Sequence, residues 1–466
     1  MISTRDDART SRSYTDVLLA GLAPDGGLYV PAEYPQFTRE ELETLKDAPY
    51  ARIAFELKKK LVDAAIPDEA LSDMIDAAYS PTNFAIENNQ VVPVQEIDRD
   101  IWVQNLSLGP TAAFKDMAMQ LLGREMAYEL ERRKETLAIL GATSGDTGSA
   151  AEAAFKGLKN ITLTMLSPLQ GMSDFQRAQM ASLSGDNIVN ISVRGRFDDC
   201  QDLVKKIMNE PEFSKLGAVN SINWGRISSQ VPYYFSGYFQ VAKKIGDPVD
   251  FAVPSGNFGN VLSGYIAKHM GLPIRRLIVA TNENNVLHKL FTTGVYENTP
   301  AHVTSSPSMD ISKASNYERL VFDIFEHDAE ETTSYMRTFN ETGKVDLADY
   351  GLSPDVFKKR EFESGTSTHR NRLETIRAVY EAARIVIDPH TADGVYVGKK
   401  LKTDAPLICL STALPVKFED TIKEALDFIP ERPPRFVGLE KQIHADAFSV
   451  IDVDADQLKH ILNTHA

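Results

Sequence analysis

The stretch GPTAAFKDMAMQLLG, Gly109 to Gly123, passes from turn formers into a helix-like run, with Lys115 where the helix should begin. The positive end of the peptide dipoles lies at a helix N-terminus, so an ammonium there is disfavoured and a neutral amine is not. Burial among Ala112, Ala113, Phe114, Met117 and Ala118 would lower the amine pKa further. A lysine held neutral is a nucleophile suited to Schiff-base formation. An ordinary surface lysine on an amphipathic helix has the same local sequence, so the assignment turns on what the rest of the chain brings to it.

Five other stretches bear on that question. VDFAVPSGNFGNVLSGYIAKHMG reads as strand, loop and helix, with Ser255, Gly256, Asn257, Phe258, Gly259 and Asn260 in the loop. Converging backbone N–H groups and a following helix N-terminus hold a phosphate. The loop has neither the Walker lysine nor GxGxxG spacing, which disfavours a nucleoside triphosphate or a dinucleotide. LAILGATSGDTGSAAEAAF repeats the layout, and the hydroxyls and amides from Ser144 to Thr147 could take a carboxylate. Asp146 or Thr147 as a simple N-cap is the alternative there. ICLSTALPVKFEDTIKEAL sets Ser411 and Thr412 at a strand end, where a hydroxyl hydrogen-bonds either a neutral ring nitrogen or a backbone group. NSINWGRISSQ gathers Asn220, Ser221, Asn223 and Arg226, and arginine suits bidentate phosphate recognition as well as a surface ion pair. His390 in IDPHTADG reads as a ligand neighbour or as a hydrogen-bonded loop histidine, and no metal-ligand spacing such as HExxH appears.

The elements that must position these residues follow from texture. At 466 residues the chain exceeds one core and implies two or three domains. The first 85 residues look like a small, mainly helical domain. From VVPVQEIDRDIWVQNLSL onward, short apolar runs (TLAILGAT, ITLTML, NIVNISV, VDFAVPS, RRLIVAT, APLICLST) alternate with helical stretches, which predicts open, mostly parallel sheets flanked by helices. Ligands then sit at the carboxyl ends of the strands. Residues 324–365 are polar and acidic and predict a surface helical excursion, while PERPPRF marks a break before a C-terminal segment, 431–466.

A net charge of −15 argues against a nucleic-acid binder that works through a basic surface. No apolar run approaches the roughly eighteen residues of a membrane span, so a cytoplasmic protein is expected. Cys200 and Cys409 are too few for a disulfide framework and sit in runs that look buried. The Asn-x-Ser/Thr triplets at Asn105, Asn160, Asn190 and Asn340 are then chance matches.

An imine-forming lysine, a phosphate cup, an oxyanion loop and a strand-end hydroxyl together suit pyridoxal phosphate (PLP). In their order along the chain they resemble the PLP enzymes of fold type II, the tryptophan synthase β type. GLAPDGGLYVP, GPTAAFKD, ATSGDTG, NSIN with Arg226, VPSGNFGN, SPSMDIS, DPHTADG and TALPVKF together resemble the threonine synthases of the longer class, over residues 2 to about 430. That resemblance implies an N-terminal domain over 1–85 and a catalytic region over 86–430 whose small lobe spans about 118–225. It implies that Lys115 carries the cofactor and moves protons, that Gly256, Asn257, Phe258, Gly259 and Asn260 hold its phosphate, and that Thr412 faces its ring nitrogen. Ser144, Asp146 and Thr147 would lie near the cofactor hydroxyl and substrate carboxylate, and Asn220, Ser221 and Arg226 would grip a substrate phosphate. Asp146 stands where shorter relatives have asparagine, and Leu108 and Leu414 where many members have histidine, so hydrogen bonding near the cofactor is expected to differ from theirs. The implied reaction converts O-phospho-L-homoserine and water to L-threonine and phosphate. A serine/threonine dehydratase or phospho-lyase, or a non-catalytic PLP-binding homologue, is the alternative. No nucleic-acid, membrane or metal partner is implied, and monomer and homodimer both stay open.

Overall fold

Runs of buried apolar residues, many β-branched, make the strands of two main sheets. The structure, a computed structural model, describes residues 1–62, 64–86, 90–170, 172–213, 216–444 and 447–465. In the larger sheet the order is Phe362–Thr366, Ile274–Thr281, Val249–Pro254, Leu407–Ser411, Ile101–Asn105 and Val94–Asp98. All neighbours run parallel except Val94–Asp98, which turns back antiparallel beside Ile101–Asn105. The smaller sheet is parallel throughout, in the order Ser449–Ile451, Ile188–Val193, Ile161–Pro168 and Leu137–Ala142. Val249–Pro254 and Ile188–Val193 are buried at every residue, as strands covered by helices on both faces must be.

Beyond the 3-10 turn Pro434–Phe436 the chain returns to the smaller sheet. There Ser449–Ile451 becomes its edge strand and the helix Ala455–His465 packs on the helix Phe197–Met208. The acidic excursion is neither wholly helical nor superficial, since its end, Phe362–Thr366, is a strand of the larger sheet. Its helix Ala329–Thr342 buries Tyr335, Met336 and Phe339, and Lys344–Asp346 pairs with Val295–Glu297.

Four helices, Tyr14–Ala20, Arg39–Leu45, Tyr50–Val62 and Asp68–Ala78, form the N-terminal region with a two-stranded pair, Ile2–Ser3 and Tyr29–Val30. Their apolar faces do not close on themselves. Val17, Leu18, Leu57 and Leu61 share one core with Met117, Leu121 and Leu122 of the helix Lys115–Arg133 and with Trp224. Inside that core Lys58 Nζ lies 2.9 Å from Glu125 of the same helix and donates to Tyr14 Oη (2.7 Å) and Ser228 Oγ (3.0 Å). Among the described residues no helix is long and apolar enough to cross a membrane. Both cysteines are free and buried, burial raising Cys200 to about 11 and Cys409 to about 12.

Candidate active site

Lys115 is the first residue of its helix, as the dipole argument requires. No side chain caps that end. Phe114 occupies the cap position in helical conformation, and the Asp116 carboxylate folds back to accept from Thr111 N (2.8 Å) and Thr111 Oγ1 (2.7 Å). The turn is seated on the end of strand Leu407–Ser411: Phe114 N donates to the Thr412 carbonyl at 2.9 Å and Leu414 N to the Ala112 carbonyl at 3.1 Å. Lys115 and Thr412 are thus brought together by backbone hydrogen bonds. The Lys115 amine sits 4.7 Å from the Phe114 ring centroid and 3.3 Å from Asp146 Oδ2. Burial lowers its pKa, Asp146 opposes that, and Lys417 and Arg226 lower it further.

Asp146 opens the helix Asp146–Phe155, whose N-cap is Gly145. Gly145 has φ +137°, and a Cβ there would lie 2.5 Å from the Gln176 amide carbon, so a side chain is excluded twice over. Neither Asp146 nor Thr147 caps this helix, contrary to the simple alternative. Thr143 Oγ1 does so instead, accepting from Gly145 N (2.9 Å) and Gly148 N (2.8 Å). That leaves the Asp146 carboxylate free to enter the cleft, where it meets Lys417 Nζ (2.6 Å), Gln176 Nε2 (3.1 Å) and Ser308 Oγ (3.1 Å) besides Lys115. Burial would push its pKa up, but Lys417 and then Lys115 hold it well below the usual carboxylate range. Ser144 is exposed and Thr147 half-buried in the same turn.

The 255–260 loop joins Val249–Pro254 to the helix Gly259–His269. Phe258 takes a left-handed φ of +65°, and its ring is buried against Phe291, Tyr317 and Phe362. Burying the ring leaves only the Phe258 main chain for a ligand. Asn260 Oδ1 accepts from Tyr233 Oη (2.7 Å) and Tyr234 Oη (2.9 Å), while Asn260 Nδ2 and Ser255 Oγ are buried without a partner among the described residues. A Cβ on Gly256 would lie 3.2 Å from Met309 Cα, so the SPSMDIS segment closes tightly over the loop.

Asn316 ties this loop to the second candidate anion site, its Nδ2 donating to the Asn257 carbonyl (3.2 Å) and the Ser221 carbonyl (3.1 Å). Asn220 Oδ1 accepts from Ile222 N at 3.3 Å. Arg226, on the short helix Trp224–Ser228, is 5% exposed, far from the surface ion pair that its sequence also allowed. Its Nη1 donates to the Val219 carbonyl (3.2 Å), its Nε has no partner among the described residues, and burial brings the guanidinium down to about 10.

Behind the strand end, Asp388 caps the helix Pro389–Leu401 and binds the Thr391 hydroxyl. Thr391 Oγ1, its proton given to Asp388, accepts from Ser411 Oγ (3.1 Å) and from Thr412 N (3.3 Å). His390 accepts from Ser308 N at Nε2 (3.0 Å), which leaves its proton on Nδ1, 2.8 Å from Asp388 Oδ1. It is hydrogen-bonded, as one of its readings expects, but in the first turn of a helix rather than in a loop. Leu108 is buried, and Leu414 packs against the Ala112, Val416 and Phe436 cluster, so both positions are apolar.

Three residues of the site escape sequence reasoning: Lys417, Gln176 and Ser308. Lys417 stands in the TALPVKF stretch already singled out, a fully buried lysine after a strand-end loop. Gln176 reads only as the third residue of a capping box begun by Ser173, and it does that as well.

The arrangement fits an anionic ligand that reacts with an amine. Lys115 and Lys417 share the Asp146 carboxylate, and the buried Arg226 adds positive charge that acts on Lys115, an excess that a phosphate would balance. The partnerless donors of Ser255, Asn260 and Arg226 are the kind of buried group a ligand completes. Among the described residues no group of histidine, cysteine or carboxylates is arranged to hold a metal.

Comparison with known proteins agrees with this chemistry along the whole chain. Residues 1–79 match the family described as threonine synthase N terminus, residues 82–351 the pyridoxal-phosphate dependent enzymes, and residues 391–462 threonine synthase, C-terminal. The threonine synthase of Methylobacillus glycogenes is 48% identical over 476 aligned residues, covering 100% of this chain and 99% of that protein. That of Corynebacterium glutamicum is also 48% identical, covering 99% and 97%. The crystal structure of PLP-bound threonine synthase from Brucella melitensis superposes with a TM-score of 0.94 at 39% identity, covering 100% of this chain and 98% of that one. The yeast threonine synthase structure gives 0.91 at 33% identity, covering 99% and 98%. With three family models matched in order along it and relatives 48% identical over their full length, the chain belongs to the threonine synthase family of pyridoxal-phosphate-dependent enzymes.

Proposed function

We propose that this enzyme converts O-phospho-L-homoserine and water to L-threonine and inorganic phosphate. The observation that carries the reading is the second buried cation, Arg226, with a partnerless Nε, beside a segment hydrogen-bonded to the glycine loop through Asn316. A substrate without its own phosphate needs one anion grip; a phosphorylated one needs two.

When bound, PLP supplies the electron sink for negative charge developing beside the substrate amino group, without which the γ-phosphate has no route to leave. Lys115 holds the cofactor through its amine and, once freed by substrate, takes and returns protons at the substrate α and β carbons. The 256–260 amides and the Gly259–His269 helix end bind the cofactor phosphate. Thr412 presents its hydroxyl to the ring nitrogen, its position set by the Phe114 and Thr391 hydrogen bonds to its main chain. Ser144 and Thr147 bind the substrate carboxylate at the head of their helix, while Asn220, Ser221 and Arg226 hold the leaving phosphate. Asp146 holds the Lys115 amine at one side of the cleft.

Incubating the PLP-loaded enzyme with O-phospho-L-homoserine should yield threonine and phosphate in equal amounts. Phosphate with 2-oxobutyrate in place of threonine would convert the reading to a phospho-lyase, and no phosphate release at all would leave a binding protein.

A further inference from the structure

Asp146 faces two lysine amines, that of the fully buried Lys417 and that of the half-buried Lys115, and it does not treat them alike. Lys417 Nζ approaches Oδ1 at 2.6 Å, whereas Lys115 Nζ stands 3.3 Å from Oδ2, an oxygen already accepting from Ser308 Oγ at 3.1 Å. Lys417 is fully buried, and its other partner is the neutral Thr111 carbonyl at 3.0 Å. Thr111 belongs to the turn that launches Lys115, and its amide and hydroxyl are bound by Asp116. One side chain from the loop after Leu407–Ser411 therefore grips both the carboxylate facing the reactive amine and the turn that carries that amine.

A carboxylate with a single buried cation would belong to that cation and would stabilise its charged form. Two cations must share it, and the nearer one takes most of the benefit. We propose that Lys417 is a positioning residue for Lys115: by pairing with Asp146 it stops that carboxylate from serving as counter-ion to the reactive amine, which stays neutral and nucleophilic. The inference deepens the proposed function and rests on Lys115 being the cofactor-bearing amine.

The charged surroundings of Lys115 support the assignment from each side. Asp146 reaches it from the smaller lobe, Lys417 from the larger, and Arg226 from the short helix Trp224–Ser228. Asp116, its neighbour in the chain, is turned away to Thr111, and His390 touches the cluster only through the Ser308 backbone. Of these groups only Asp146 favours the ammonium form of Lys115, while Lys417 and Arg226 oppose it. Removing Lys417 should hand Asp146 to Lys115, and removing the Asp146 charge should do the reverse.

The test reads the amine itself and needs no turnover. Full-length protein stripped of PLP is labelled with an acylating reagent across a pH series, and modification of Lys115 is followed by mass spectrometry. Lys417→Met and Lys417→Gln should move the labelling midpoint to higher pH, with about tenfold less reaction at neutral pH or lower still. Lys417→Arg should restore it, and Asp146→Asn should move it to lower pH. Gln keeps a donor for the Thr111 carbonyl, so it serves if the methionine variant fails to fold. An unchanged midpoint in the neutral variants, or a shift of the same sign for Lys417→Gln and Asp146→Asn, overturns the proposal. Failure of the underlying reading is separate: Lys115→Ala that still forms a borohydride-reducible bond with PLP would displace Lys115 without bearing on the labelling result.

Discussion

Asn223 Nδ2 donates to the Leu18 carbonyl at 2.9 Å, joining the first helix of the N-terminal region to the segment that carries Arg226. Asn223 Oδ1 also accepts from Gly225 N at 2.8 Å and so caps the short helix. From the other side Arg319 donates to the Tyr29 carbonyl (2.9 Å) and the Ile222 carbonyl (2.7 Å). The N-terminal region is therefore a wall of the segment proposed to hold the substrate phosphate.

Asn223→Ala removes a cap, which costs about 1 kcal/mol, and leaves a buried carbonyl unpaired at about 1–3 kcal/mol. The expected outcome is a several-fold higher KM for O-phospho-L-homoserine with normal PLP occupancy. Steady-state kinetics beside the cofactor absorbance check this, and a lower occupancy at unchanged KM would contradict it.

For Arg226→Ala the loss falls on the same substrate group. A charge-assisted hydrogen bond contributes about 1.5–3 kcal/mol, which corresponds to a ten- to hundredfold drop in kcat/KM, with the cofactor retained. Loss of PLP would instead assign Arg226 to the cofactor.

The Lys58–Glu125 pair lies wholly inside the core, so one partner cannot be removed without stranding the other. Lys58→Met should destabilise the fold by about 3–5 kcal/mol. Adding Glu125→Gln should recover part of that. The first transition in thermal or denaturant unfolding measures these and Glu125→Gln alone, and strictly additive losses would show that no coupling exists.

Stability should also depend on pH through Asp116, which burial raises to about 6 from an ordinary value of 3.8. Between these values the native state binds more protons than the unfolded chain, so this contribution is complete below pH 3.8 and is lost as pH rises through about 6. Asp393, likewise raised to about 6 by burial, acts with the same sign. Asp116→Asn should flatten the dependence by at most about 1.4 kcal/mol per pH unit within that window. Melting temperatures measured from pH 4 to pH 7 would reveal it, and an unchanged slope would refute it.

The strands were legible because buried parallel strands are nearly continuous apolar runs. TLAILGAT, VDFAVPS and APLICLST each contain one. Lys115 was legible because its helix start is local information. The setting of Asp146 was not: its partners Gln176, Ser308 and Lys417 lie on three distant segments, and no local periodicity announces a contact made by topology. Nor does the sequence reveal that the Phe258 side chain points away from the loop it belongs to, since its left-handed backbone is stabilised by aromatic neighbours far along the chain. The excursion over 324–365 looked superficial because its apolar residues are spaced one helical turn apart among charges, yet those are the residues it buries.

The edge strand Ser449–Ile451 has a consequence for biogenesis. It joins Ile188–Val193 only after four of the six strands of the larger sheet have been synthesised in between. Until then the emerging smaller lobe presents an unpaired strand, a template for contact with other nascent chains. Maturation of the two lobes is thereby coupled, and a contiguous fragment ending before that strand would be expected to self-associate.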